Sequence, residues 1–120
     1  MGYQIEYTDE FETWWDSLTL SEQEDVAATV NLLEARGPAL PYPYSSNIKG
    51  SKHGQMRELR IQHAGDPYRV LYALDPLRTA ILLIGGNKTS DKRWYKKFVP
   101  IADKLYTEHI EGLKKERKIK

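Results

Sequence analysis

At 120 residues, 40% hydrophobic and 29% charged, the chain is sized for a single domain, 1–120, and is too apolar for a disordered chain. It has no cysteine, which excludes disulfides and thiolate metal sites, and its longest apolar run, residues 80–84, is strand-sized, which argues against a membrane helix. The net charge of +1 is the sum of unlike parts: one Lys/Arg against nine Asp/Glu in residues 1–46, eleven against four in 47–97, and six against four in 98–120, so a uniform attraction to polyanions is excluded while a directional one is not.

Residues 1–6 lack the basic and apolar regions of a signal peptide, so the expected location is the cytoplasm. Residues 3–7 alternate and predict a short strand. Thr8 or Asp9 can cap a helix that places Phe11, Trp14, Trp15 and Leu18 on one face. Ser21 with Glu24 reads as a capping box, and Val26, Val30 and Leu33 continue an apolar stripe to about Arg36, where Gly37-Pro38 ends the helix. Residues 37–55 read as one long loop rich in Pro, Tyr, Ser, Gly and Lys, a length that usually marks function. Strands are predicted at about 56–62, 68–74 and 79–85, with turns at Gly65-Asp66, Asp75-Pro76 and Gly85-Gly86-Asn87. A short basic helical turn over 90–97 and a final helix over 100–115, with Pro100 in its first turn, complete the order β-α-α-β-β-β-α. That order predicts an α+β fold: helices against one face of a mainly antiparallel sheet.

With Gly65-Asp66 as a two-residue turn, Ile61 pairs with Val70 and Leu59 with Tyr72. Leu59, Ile61, Val70, Tyr72 and Leu74 then share an apolar face, and Arg60 and Arg69 share the opposite, open face with Glu58 and Gln62. Two arginines there suit a phosphate; in the alternative, Glu58 pairs with one of them and the group is structural.

The basic stretch collects Lys49, Lys52, His53, Arg57, Arg60, Arg69, Lys88, Lys92, Arg93, Trp94, Tyr95, Lys96 and Lys97. Cations interleaved with aromatics suit RNA, which needs charge for phosphates and flat surfaces for splayed bases. Cleaving its backbone requires a base for the ribose 2′-OH, an acid for the leaving 5′-oxygen and cations for the phosphorane; His53, Tyr95, the lysines and the arginines are of the right types. His53, His63 and His109 are too scattered for a zinc site, HExxH is absent, and neither metal nor cofactor is expected.

The runs Met56-Arg57-Glu58-Leu59-Arg60 and Tyr68-Arg69-Val70-Leu71-Tyr72, followed by an apolar strand into Gly86-Asn87-Lys88, resemble the RelE/ParE superfamily of toxins, in particular its phage-derived HigB-like branch. The resemblance covers nearly the whole chain. It implies a RelE-like fold and cleavage of mRNA on the ribosome, with neutralisation by a cognate antitoxin carrying a helix-turn-helix domain. It implies catalytic roles for Arg69, Lys88 and Tyr95 (or Trp94, if the alignment slips by one), with Arg60 a basic position beside them. RelE-like members place lysines where this chain has Met56 and Glu58, and HigB-like members often use histidines, for which His53 is the candidate. Lys49, Lys52, Arg57, Arg60, Lys92, Arg93 and Trp94 are the expected RNA-binding residues. Two alternatives stay open: a gyrase-poisoning toxin of the same fold, and a non-enzymatic nucleic-acid-binding phage accessory protein.

Overall fold

Near-continuous apolar runs at residues 70–74 and 80–84 give this protein a sheet with two apolar faces. The computed structural model describes residues 2–120. The elements are β1 (Gln4–Tyr7), α1 (Asp9–Asp16), α2 (Leu20–Arg36), a short 3₁₀ turn (Gly37–Ala39), β2 (Ser45–Asn47), β3 (Met56–His63), β4 (Asp66–Leu74), β5 (Thr79–Asn87) and α3 (Trp94–Lys115). The strand order is β1-β5-β4-β3-β2; β1 runs parallel to β5 and all other pairs are antiparallel. This is an α+β fold with a mainly antiparallel sheet.

Leu59, Ile61, Tyr68, Val70, Tyr72 and Leu82 bury one sheet face against Phe11, Val26 and Leu33 of α1 and α2. Met56, Leu71, Ala73, Ile81 and Leu83 bury the other against Trp94, Val99, Ala102 and Tyr106 of α3. The helices therefore lie on both faces, not one, and the face expected to be open is roofed by α3. Each fully buried Leu or Val contributes about 1.5–3 kcal/mol. An irregularity opposite Leu71/Tyr72 leaves Leu83 an extra residue in β5, and Leu83 and Ile84 both pack with the α3 cluster.

The predicted face assignment holds, although the register differs by two residues. The β3–β4 turn is Ala64-Gly65, both at positive φ (51° and 85°), so Leu59 faces Val70, Ile61 faces Tyr68 and Arg60 faces Arg69. A shift of two preserves which side each residue points to.

Thr8 caps α1, accepting from Phe11 N at 3.0 Å. The capping box of α2 is Thr19–Glu22, two residues earlier than Ser21–Glu24: Glu22 N donates to Thr19 Oγ1 at 3.2 Å and Thr19 N to Glu22 Oε1 at 2.7 Å. Glu22 also accepts the phenol of Tyr68, tying the start of α2 to β4. That hydrogen bond holds the Glu22 carboxyl below its usual range and, with burial, pushes the Tyr68 phenol up to about 12.

Three further expectations change. The long loop contains β2, whose Ser-Ser-Asn sequence has no strand signature and is organised by pairing with β3. Gly85 and Gly86 lie within β5 rather than in a turn. The separate basic turn and final helix are one helix, α3, which runs through Pro100; Pro100 is exposed, so water can satisfy the carbonyl its missing N–H leaves free.

Candidate functional site

Glu58 is a carboxylate in the sheet interior, 4% exposed, and its surroundings explain how it can be there. Ser46, its partner across β2, donates to Oε2 at 2.6 Å; Tyr95 OH, from the first turn of α3, donates to Oε1 at 2.5 Å. Arg60 Nη1 lies 3.3 Å from Oε2 and Arg69 Nε 3.5 Å from Oε1. Arg60 is two residues along β3 from Glu58 and directly opposite Arg69 on β4. Two guanidinium groups facing each other across a ladder repel; the carboxylate between them offsets that repulsion. Arg69 is itself buried, 5% exposed, and donates Nη1 to the carbonyl of Tyr68 at 2.9 Å. Among the described residues its Nε has no hydrogen-bond acceptor, so its contact with Glu58 is one of charge.

On its other side Arg69 pairs with Gly86 of β5. Here glycine is required by close approach: a Cβ at Gly86 would meet Trp94 Nε1 at 2.7 Å, and one at Gly85, pointing to the opposite face, would meet the Trp14 ring at 2.4 Å. The end of β5 is thus gripped between two indoles. This fixes the start of α3, and with it Tyr95. Burial first, and then the hydrogen bond to Glu58, push the Tyr95 phenol up, so it holds its proton at neutral pH. Lys88, just beyond β5, stands over the Tyr95 ring with Nζ 5.6 Å from its centre.

The fold therefore gathers Arg60, Arg69, Lys88 and Tyr95 of the expected site. It does not gather the others. Trp94, 1% exposed, packs against Phe98 in the core beneath α3 and has no free face for a base. Of the two adjacent aromatics, Tyr95 is the one that faces the cluster. Arg57 lies on the α1–α2 side of the sheet, donating to Ser45 Oγ at 3.0 Å and Asn47 Oδ1 at 2.5 Å. His53 meets Tyr106 edge-on at 4.9 Å, with Nε2 2.8 Å from Thr107 Oγ1. That contact is eleven residues along α3 from Tyr95, about 16 Å at helical rise. Buried Asp103 fastens the same loop by accepting from Ser51 Oγ and Lys52 N, at 2.5 and 2.9 Å. Lys49 and Lys52 are exposed on this loop, and Lys92 and Arg93 are exposed just before α3. They can attract a polyanion but do not touch the cluster's carboxylate.

Sequence reasoning raised Glu58 only as a structural partner of one arginine, and the structure sets it against both; it missed Ser46 of the long loop, while Tyr42, whose ring lies 5.0 Å from the Arg60 guanidinium carbon, stands beside the cluster. The i, i+2 spacing of Glu58 and Arg60 on the face of Arg69 was a usable signal; nothing local marked the path of the loop. Among the described residues no three His, Asp or Glu side chains come together as a metal site.

A family model described as "Phage derived protein Gp49-like (DUF891)" matches residues 13–107. The chain belongs to the Gp49-like family. The matched span of this Gp49-like chain runs from α1 into α3 and holds every member of the Glu58 cluster. The chain is 41% identical over 107 residues to a Mycobacterium tuberculosis protein named "Putative toxin HigB3", covering 84% of this chain and 92% of that protein. It is 38% identical over 99 residues to that organism's "Putative toxin HigB2", covering 81% of this chain but spanning about half, 49%, of the relative's length. Among solved structures it is similar to the isolated E. coli RelE toxin (TM-score 0.54, 16% identity, 71% of this chain and 83% of that one). It is also similar to the RelE–RelB complex of Pyrococcus horikoshii (TM-score 0.53, 20% identity, 73% and 97%). At these identities the structural likeness is one of fold.

Proposed function

We propose that this Gp49-like protein is the toxin of a type II toxin–antitoxin pair and an endoribonuclease that cuts mRNA on the ribosome, so inhibiting translation. The observation that carries the reading is the cluster itself: one buried carboxylate holding two arginines and a protonated tyrosine, with a lysine over that tyrosine. The names of the Mycobacterium relatives support the toxin assignment, and a RelE-like chain solved with a RelB partner supports a cognate antitoxin, for which we propose a helix-turn-helix protein.

Cleavage needs no group beyond those of the RNA and the chain. The ribose 2′-oxygen attacks phosphorus as the P–O5′ bond breaks, leaving a 2′,3′-cyclic phosphate and a 5′-hydroxyl. In this reading Glu58 is the carboxylate that receives the 2′-OH proton. Tyr95, kept protonated by its burial, is the donor to the departing 5′-oxygen. In the same reading Arg69 and Arg60 meet the phosphate oxygens, and Lys88 adds positive charge where negative charge grows. The exposed Lys49, Lys52, Lys92 and Arg93 supply longer-range attraction to RNA. A gyrase poison or a nucleic-acid-binding accessory protein needs no acid and base; in either, the same cluster would serve only as a structural ion pair.

The test is induction in cells followed by mapping of mRNA 5′ ends. The expected result is new 5′-hydroxyl ends within translated regions, absent with Tyr95→Phe. Continued translation with intact mRNA, or DNA damage in its place, overturns the reading.

A further inference from the structure

Next to the arginine pair lies a cavity of about 530 Å³ walled by Arg60, Arg69, Pro43, Tyr44, Gln62 and Asp25. Its volume is that of a small-ligand site. Two tyrosines of the Pro41-Tyr42-Pro43-Tyr44 segment stand out in solvent here, Tyr42 69% and Tyr44 44% exposed, although each carries a large apolar ring. The segment is nonetheless held in place by its backbone. Tyr44 N and Ser45 N both donate to the Pro41 carbonyl, at 3.0 and 3.1 Å, and Arg60 N donates to the Tyr44 carbonyl at 2.9 Å. The rings are thus presented on a pre-ordered support, which lowers the entropy a ligand must overcome.

Charge divides the cavity. The arginines lie on one wall, and Asp25, 2.6 Å from His63 Nδ1, lies on another. A phosphate suits the first wall and is repelled by the second. What fits between is a flat, uncharged, hydrogen-bonding group attached to that phosphate, with Tyr44 to stack on and the exposed Gln62 amide to meet its edge.

We propose that this cavity is a nucleobase subsite, in which the base of a nucleotide whose phosphate sits on Arg60 and Arg69 stacks on Tyr44 and is met at its edge by Gln62. The proposal rests on the RNA reading above and adds to it a residue set that selects the nucleotide. Stacking a base on an aromatic side chain is worth about 1–3 kcal/mol, roughly 5- to 150-fold in affinity.

The experiment is an NMR titration of the intact protein with adenosine 3′-monophosphate, uridine 3′-monophosphate and ribose 5-phosphate. The nucleotides are expected to bind about 10-fold more tightly than ribose 5-phosphate and to shift the Tyr44 ring signals. Tyr44→Leu, which leaves the backbone tethers in place, should abolish that difference while leaving the affinity for ribose 5-phosphate unchanged. Gln62→Ala, at an exposed position, should narrow the gap between the two nucleotides. Equal binding of nucleotide and ribose 5-phosphate by the unaltered protein overturns the subsite alone, as does a difference that survives Tyr44→Leu. Absence of binding by all three probes overturns the phosphate site as well, and the RNA reading with it.

Discussion

Glu58 and Arg69 are both buried, and each offers the other an opposite charge that offsets the loss of water. Arg69 was expected on an open face, removable without harm to the fold; its burial changes that. Arg69→Ala should abolish cleavage and also destabilise the protein by about 2–4 kcal/mol, less than the loss of a lone buried partner because Arg60 still attends Glu58. Thermal melting checks the stability, and an unshifted melting point would show that the pair adds nothing. Arg69→Lys restores the charge but not the planar fork, and should keep the fold with partial activity. Tyr95→Phe weighs mainly on the chemistry: the ring still packs under Lys88, so stability should fall only by about 1–3 kcal/mol for the lost hydrogen bond to Glu58, while cleavage by the folded fraction falls by about 10²–10⁴. Trp94→Phe should do the reverse, lowering stability through lost packing and leaving most of the activity of the folded fraction. Equal activity losses from these two aromatic changes would deny Tyr95 a chemical role. The one-residue ambiguity between them could not be resolved from local composition, since both neighbours are aromatic. A rotation of 100° along a helix sends one into the core and the other to the site.

At the level of elements, the strands were readable because alternation reports faces even when register is misjudged. Leu59, Ile61, Val70 and Tyr72 found the correct side although the turn falls at Ala64-Gly65. Ala64 at φ 51° is a conformation that alanine does not advertise. β2 and the roof formed by α3 were not readable, because both depend on contacts between distant parts of the chain. The pairing of Glu58 with an arginine was open to the sequence, but its role as a hub was not, because that needs Ser46, Arg69 and Tyr95 to arrive from three other elements. The start of α2 offers a prediction of its own. The Glu22 carboxyl is depressed by the Tyr68 phenol and its cap contact, so its stabilising contribution is present above the ordinary carboxyl value of 4.5 and lost as pH falls through the lower, folded value. Glu22→Gln should therefore melt below the unaltered protein at neutral pH, with the gap closing in acid. A gap that widens in acid would reverse the assigned sign.

Across the whole molecule, the sheet separates charge. The acidic residues of the first third are carried mainly by α1 and α2 on one face, whereas Lys88, Lys92, Arg93, Lys96 and Lys97 gather where β5 passes into α3 on the other. Such a separation orients an approaching polyanion toward the arginine face. Reversing Glu24 and Glu34, both exposed on α2, should leave RNA affinity within about twofold at physiological salt, where charges across the molecule are screened. Reversing Lys92 and Arg93 should weaken binding and flatten its dependence on salt. If the α2 reversals matter more, the acidic layer contacts the nucleic acid.

The parallel pairing of β1 with β5 carries a consequence for the order of events during synthesis. The first strand has no neighbour in the sheet other than one that begins at Thr79, so a nascent chain must keep its opening segment waiting while most of the domain is made. Glu58 and Arg69 emerge early, yet Gly86, Lys88 and Tyr95 come last. A ribosome that stalls or releases the chain before β5 therefore yields a harmless fragment rather than a half-strength agent. A chain ending at residue 78 should show no cooperative melt, whereas the full chain should lock its first and last strands together in one late step. Under the proposed attack on translating ribosomes, that late closure would spare the ribosome making the chain.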